Sequence, residues 1–494
     1  MPAARRSSLA VLGVACGALV APTAAAAALH VSTQPRLHPG FRRDAHDYAV
    51  RCPTRRPVRL HASASGGDRL SVDGDRMRAG SFDASLRRAT DAAFTIRARR
   101  AGHSATYHFR CLPRSFPSWT IERRGTPQAQ WYVTAPVRPP AGGYVAVFDR
   151  NGAPVWWRRV SSRAYMPWDA KLLSGQLLAW GENFGTAFGV RDEGAYEEHT
   201  LSGGLVRRVR TAGSPIDPHD LERMPNGDLL TITYRRRDGV DLSARGGPRD
   251  ARVFDGEVQE LSPAGKLLWR WNSHGHVSPA ETESRWWSNG QDRELPPRER
   301  GYDLLHVNSV AGDGDGVIVS ARHADAVYRI DRASGRVDWK LGGTLVPHES
   351  LTVLGVPPGQ QVLGGQHDAR MLPDGTLTVF DNRARTDGAP AATRFRIDPT
   401  ARTATRIERV TSPAAPVSKW GGSARKLPGG DWVIAWGGTD LVTEQRPSGA
   451  TVLALRFGSR HFTYRADALP PGRLAAADLR GGMDRLARAQ HAPR

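Results

Sequence analysis

Cysteine is nearly missing from this chain of 494 residues, which contains three. Cys16 lies in an apolar stretch near the N-terminus, so an exported mature chain keeps only Cys52 and Cys111. An even pair outside the cytoplasm reads as one disulfide, and closing so long a loop adds about 4 kcal/mol in the chain-entropy model. Long hydrophobic runs are also lacking. The apolar run at residues 9–20 falls short of the roughly 20 residues a membrane helix needs, so no stable membrane span is expected. No GxxxxGK[ST] loop is present to cradle nucleotide phosphates, and no GxSxG elbow offers a serine nucleophile. The net charge is +20, but there is no block of basic residues. Arginine spread along the whole length argues against a nucleic-acid-binding face.

Hydrophobic residues make up 39% of the chain, enough for a buried core, and the length predicts two or more domains. Residues 1–28 read as an export signal: Arg5 and Arg6, then the short apolar run, then small residues at Ala24 and Ala28. The expected location is therefore secreted or cell-envelope. Ser8 stands where a twin-arginine signal wants a bulky apolar residue, and Gly13 is a poor residue three positions before a lipid-bearing Cys16.

Residues 30–114 alternate with the strand period between Gly/Asp turns and predict a small β-sandwich holding Cys52–Cys111. Residues 115–465 carry two families of hairpin. One family has an alternating apolar pattern and often a Trp, from YVAVFDRNGAPVWW to TVLALRFGSRHFTY. The other family lies between its members. Two hairpins make a four-stranded blade, and six blades of roughly 50–60 residues fit a β-propeller. The all-β reading is thus a six-bladed propeller after a small sandwich. The sixth inner element is expected around Gln130 to Thr134, and residues 466–494 read as a partly helical tail. Residues 273–303 interrupt the repeat with Trp286 and Trp287, and predict either a rim over the channel or a locally packed insertion.

The inner hairpins repeat one pattern: His, seven residues, Gly, seven residues, Arg. The members are His219–Gly227–Arg235, His306–Gly314–Arg322 and His367–Gly375–Arg383. A hairpin returns to its open end, so each His is expected beside its Arg as a cross-strand neighbour. Inner hairpins surround the channel, so the three His converge on one funnel. The flanking blades have Trp168 and Gly422 in that slot, so imidazole is not a fold requirement. Three His suit zinc or another transition metal. Neighbouring guanidinium groups oppose a cation and suit sulfate, phosphate or carboxylate. An anion-transfer site fits better, with no metal and no cofactor. One His serves as nucleophile, another as acid or base, and Arg stabilises the transferred group.

The segments HDLERMPNGDLL, DLLHVNSV, IVSARHADAVYRID and GGQHDARMLPDGTLTVFDN cover most of residues 215–385. In them the chain resembles the bacterial arylsulfotransferases, the aryl-sulfate sulfotransferases that use no nucleotide donor. The resemblance implies a six-bladed propeller and ping-pong transfer from a phenolic sulfate to a phenolic acceptor through a sulfohistidine. It implies His367 as nucleophile, with His306, His219 and Arg322 catalytic, and Asn308 and Asn382 binding substrate. It lends no support to Arg235 or Arg383, which then read as solvated or ion-paired strand ends. Leu304, Leu305, Pro218, Asp368 and Arg370 depart from the family pattern, and Asp368 could orient the His367 ring. A secreted propeller binding an anionic ligand without turnover, and a metal-dependent hydrolase or lyase, are the alternatives.

Overall fold

The turns of this chain decide where its strands reverse. Gly227 and Gly375 sit at φ 95° and 74° in their hairpin tips, a left-handed backbone that glycine adopts without a Cβ clash. Between such turns the apolar residues alternate and pair as antiparallel ladders. The computed structural model describes residues 29–491 except 54–55, 101, 140–141, 161–165, 184–194, 290–297 and 344–345. The export signal read at residues 1–28 lies outside the described residues. Among those described, no helix is long and apolar enough to cross a membrane.

Six blades surround one channel. Five begin on the inner strands Met166–Ser174, Ile216–Arg223, Val307–Asp313, His367–Met371 and Ser423–Lys426, and each runs outward through three more strands. The ring closes at both chain ends. Strand Phe462–Leu469 is the innermost strand of the remaining blade and pairs with Trp131–Val137. Strand Trp119–Arg123 adds a fifth, outer strand beside Thr451–Phe457. This corrects the expected closure. The strand at Gln130 to Thr134 stands second from the channel, and the hairpin expected at residues 451–464 divides between two blades. Strands from both chain ends thus share the first and last blades, whose ladders hold the ring closed by backbone hydrogen bonds.

Blades pack face to face through large aromatic residues. Trp156, Trp180, Trp432 and Trp436 are all buried, each removing about 1.5–3 kcal/mol worth of apolar surface from water. Residues 30–114 form one seven-stranded sheet curled almost into a barrel, with Phe94 stacked on Phe109 at 4.9 Å. Cys52 and Cys111 are joined in a disulfide with Cα atoms 5.2 Å apart. The helix Ala476–His491 ties this sheet to the propeller, through Arg480 with Asp47 at 2.6 Å and Asp484 with Arg110 at 2.7 Å.

Candidate active site

Five of the six inner strands contain an irregularity, and only Ser423–Lys426 pairs without one. Ladder register shifts between Trp168 and Lys171, Ile216 and Leu221, Val307 and Ser309, and His367 and Arg370. Asp169, His306 and Asp368 there have φ of 47°, 50° and 58°. Such bulges re-aim successive side chains, and here they sort them into two tiers.

The upper tier is aromatic. His219 lies 5.1 Å from His306 and 5.6 Å from Trp168, ring centre to ring centre. Tyr464 stacks on Trp168 at 4.3 Å and stands 6.3 Å from His367. The lower tier is ionic. Arg465 reaches Asp169 at 3.1 Å, Asp220 at 3.0 Å and Asp368 at 3.9 Å. Lys171 and Arg370 also pair with Asp220, at 3.0 and 2.6 Å, and Arg425 pairs with Asp368 at 2.8 Å. Burial alone would raise the Asp220 carboxyl, but Arg370, Lys171 and Arg465 hold it well below the usual carboxylate range. Asp368 therefore belongs to the ionic tier and does not orient the His367 ring.

Asn382 orients that ring instead. His367 Nδ1 donates to Asn382 Oδ1 at 2.8 Å and lies 3.1 Å from the Gly365 carbonyl. Both partners accept, so the proton sits on Nδ1 and Nε2 keeps its lone pair. The Gly421 N–H donates to that Nε2 at 3.2 Å. Burial, then the Arg322 charge, holds His367 well below the ordinary imidazole range, so the ring is neutral. His219 Nδ1 donates to Asp217 at 2.6 Å, and His306 Nδ1 donates to Asp303. Burial, then His219 and Arg322, likewise keeps His306 well below its ordinary value.

Arg322 is the cation of the upper tier. Its backbone N–H donates to the His306 carbonyl at 3.1 Å. Its guanidinium lies 4.1 Å from the Trp286 ring centre and donates to the Lys419 carbonyl at 3.1 Å. Burial, then Arg385, lowers it to about 10, so it stays charged at neutral pH. Its Nε has no hydrogen-bond partner among the described residues, nor has the Tyr464 hydroxyl or the Asn308 Oδ1. Asn308 gives its Nδ2 to the Gln366 carbonyl at 2.7 Å, directly before His367.

His306–Arg322 is the one expected His–Arg pair that forms. His219 and Arg235 are apart because the ladder already pairs Arg223 with Leu229, two residues off that count, and the bulge then leaves Ile216 opposite Thr233; Arg235 stands opposite Asp255. Arg235 instead pairs with Glu257 at 3.1 Å. His367 stands opposite Phe380, and Arg383 donates to the Gln361 carbonyl at 2.7 Å. The Gly422 slot is filled by its neighbour, since a Cβ there would meet the Phe380 ring at 2.3 Å.

Four contributors escaped the sequence reading. Tyr464 was hidden by the misplaced strand. Asp217 precedes His219 by two residues and Asp303 precedes His306 by three, a local spacing that was visible but unused. His323 follows Arg322, accepts from its Nη1 at 3.2 Å, and donates Nδ1 to the Asp303 carbonyl at 2.8 Å. Burial, then His306, lowers it to about 3. The ligand atoms of Asp303, His306 and His323 lie within 4.8 Å of one another, the spacing of a metal site. Both His323 nitrogens and the His306 Nδ1 are engaged in the bonds just given, and the Arg322 cation donates straight into the group, which favours an anion. The interrupting insertion divides its two Trp. Trp286 is buried against His323 at 5.3 Å, while Trp287 packs on Tyr302 at 5.7 Å.

Among solved structures, a protein of unknown function from Bacteroides caccae is similar at 10% identity and TM-score 0.42, covering 69% of this chain and 99% of that one. The β-propeller domain of Myceliophteria thermophila Cps50 (Swd1) is similar at 11% identity and TM-score 0.35, covering 64% and 96%. A streptogramin B lyase is similar at 8% identity and TM-score 0.35, covering 69% and 98%. No curated protein matches the sequence. The family described as arylsulfotransferase (ASST) matches residues 200–458. That span is just over half of the chain and holds four of the six inner strands, together with every imidazole of the upper tier, so the chain belongs to the arylsulfotransferase family.

Proposed function

We propose that this protein is an exported arylsulfotransferase that moves a sulfuryl group from a phenolic sulfate ester to a phenol through a sulfohistidine at His367. One observation carries the reading: a buried, neutral His367 holds its proton on Nδ1 against Asn382 and keeps a lone pair on Nε2. In the first half-reaction Nε2 attacks sulfur, the N–S bond forms, and the S–O bond to the aryl group breaks. The phenolate carries away the electron pair. Arg322 and the Gly421 N–H offset negative charge on the sulfuryl oxygens, and Asn382 accepts from the Nδ1–H of the sulfated ring. In the second half-reaction the acceptor hydroxyl oxygen attacks sulfur and the N–S bond breaks. His219 Nε2 or His306 Nε2 takes the hydroxyl proton, each ring steadied by a carboxylate at Nδ1.

Asn382 acts as a positioning residue, because its amide is spent on His367, Ser418 and Gly421, while Asn308 gives only its Nδ2 to Gln366 and offers its unpartnered Oδ1 to substrate. Export rests on the Cys52–Cys111 disulfide, which oxidising compartments preserve, and on the residues 1–28 pattern. Incubation with 4-nitrophenyl sulfate and phenol tests the reaction. Nitrophenol and phenyl sulfate appear together, and mass spectrometry finds a sulfuryl group on the His367 peptide. Nitrophenol release undiminished in His367→Ala sinks the mechanism. Release without phenyl sulfate makes the protein a sulfatase.

A further inference from the structure

A cavity of about 530 Å³ opens beside the upper tier, within the roughly 300–1,000 Å³ of sites for drug-sized ligands. Arg322 and Asn382 line its inner end, and Trp420 lines its wall next to Gly421, whose N–H touches His367 Nε2. His367 does not itself line the cavity, which starts beside its ring at Asn382 and Trp420 and continues outward. Its walls are apolar where Trp286, Trp420, Pro390 and Val417 line it, and Val417 is 60% exposed. Its charge is of one sign. Arg322, Arg383, Arg385 and Lys419 line it, and no carboxylate does.

Those cations are not equivalent. Arg383 is engaged with Asp381 at 3.6 Å. Arg322 is nine-tenths buried, and its Nε has no partner. Arg385 lies over Trp286 at 5.1 Å and donates to the Arg285 carbonyl. Neither Arg385 nor Lys419 makes an ion pair with a carboxylate among the described residues, and both are exposed at the outer end. A plain phenol needs apolar walls and a polar end at the sulfur. It leaves the outer cations unused and most of the volume empty.

We infer that this cavity binds the body of an aryl substrate carrying a second anion, such as a carboxylate, on the side of the ring away from the phenolic oxygen. The aryl ring lies against Trp420 and the exposed Val417, and the carboxylate meets Arg385 and Lys419 at the solvent end. The inference rests on the proposed transfer reaction, but ligand binding can be measured without turnover.

The test is calorimetric titration of the unreacted enzyme, with no sulfate donor, against 4-hydroxyphenylacetate and its uncharged counterpart 4-methylphenol. The carboxylate binds about fivefold tighter, the scale of a solvent-facing ion pair, and the ratio collapses toward one in the double variant Arg385→Ala, Lys419→Ala. Lys419→Glu keeps the test decisive should the double variant misfold, since it shifts preference toward 4-hydroxyphenylethylamine. Equal affinities in the wild type, no binding of either ligand, or a ratio the variants leave untouched overturns the assignment. Binding preference without any sulfated product leaves the cavity assigned and overturns the transfer reaction. Sulfated product without the preference does the reverse.

Discussion

His367 Nδ1 and Asn382 Oδ1 are 2.8 Å apart, across the open end of one hairpin. The Asn382 amide is itself held, its Nδ2 donating to Ser418 Oγ and the Gly421 carbonyl, each at 2.9 Å. The amide cannot turn over without losing both bonds. Its carbonyl therefore always faces the ring, and one tautomer of His367 is selected.

Asn382→Ala removes that selection while leaving the nucleophile in place. We expect kcat for 4-nitrophenyl sulfate to fall roughly 10²- to 10⁴-fold, the range seen when a histidine loses its tautomer-fixing partner. KM changes little, because the amide is spent within the protein. Steady-state kinetics with both parameters resolved checks this, and a KM-only effect contradicts it.

Arg322→Ala deletes the cation expected to oppose charge on the sulfuryl oxygens. The loss in kcat/KM should be about 10²- to 10³-fold, as for a preorganised charge-stabilising donor. Arg322→Lys should recover only part of it, since a point charge does not reproduce the planar fork over Trp286. Comparing both variants with one donor separates this from simple loss of folding.

Acid should weaken the fold as well as the reaction. His306, His323 and His367 all titrate below the ordinary imidazole value when folded, His323 at about 3. Unfolded imidazoles take up protons near 6.5, so below that pH the unfolded state binds more protons than the folded one. Stability is fully present above about 6.5 and is lost as pH falls toward the folded values, by up to about 1.4 kcal/mol per pH unit per histidine. Urea midpoints at pH 8, 6 and 5 measure the trend. The first half-reaction, whose nucleophile stays neutral, should hold its rate through pH 6.5 rather than halve there.

Asp220→Ala should destabilise the propeller by about 3–5 kcal/mol, because buried partners lose their counter-charge. Lys171, Arg370 and Arg465 all pair with that one carboxylate. Denaturant unfolding of the variant checks it, and a change below about 1 kcal/mol would show that the lower tier rearranges around the gap.

Replacing Cys52 and Cys111 by Ser should lower stability by roughly 2–5 kcal/mol. The loss belongs to the N-terminal sheet, because the disulfide lies wholly within it. Thermal unfolding with and without reductant separates that transition from unfolding of the propeller.

The repeat was readable because its signals are local. A period of two, a turn rich in Pro, Asn, Asp or Gly, and often a Trp mark the hairpins one by one, without reference to any other. His219, His306 and His367 could be picked out because each opens an inner strand, and the symmetry of a propeller brings such positions together. The His–Arg pairing failed at two of three sites for a physical reason. Counting residues assumes a turn centred on the Gly and an unbroken ladder, but the ladders pair Arg223 with Leu229 and Met371 with Leu377, two residues off that centre, and the bulges shift them further. Blade closure was misjudged similarly, since nothing within Phe462–Leu469 shows that it pairs with residues more than three hundred positions earlier.

The sequence by itself determined the blades, the disulfide pair and three of the imidazoles that gather at the site, His219, His306 and His367, because strand period, turn chemistry and cysteine count act over short distances or leave a single choice. Only the tertiary structure decided which nitrogen of His367 keeps its lone pair, which arginine stays with the imidazoles, and that Tyr464 and Arg465 complete the two tiers. Those properties depend on burial and on partners contributed by other blades, and no short stretch of chain contains them.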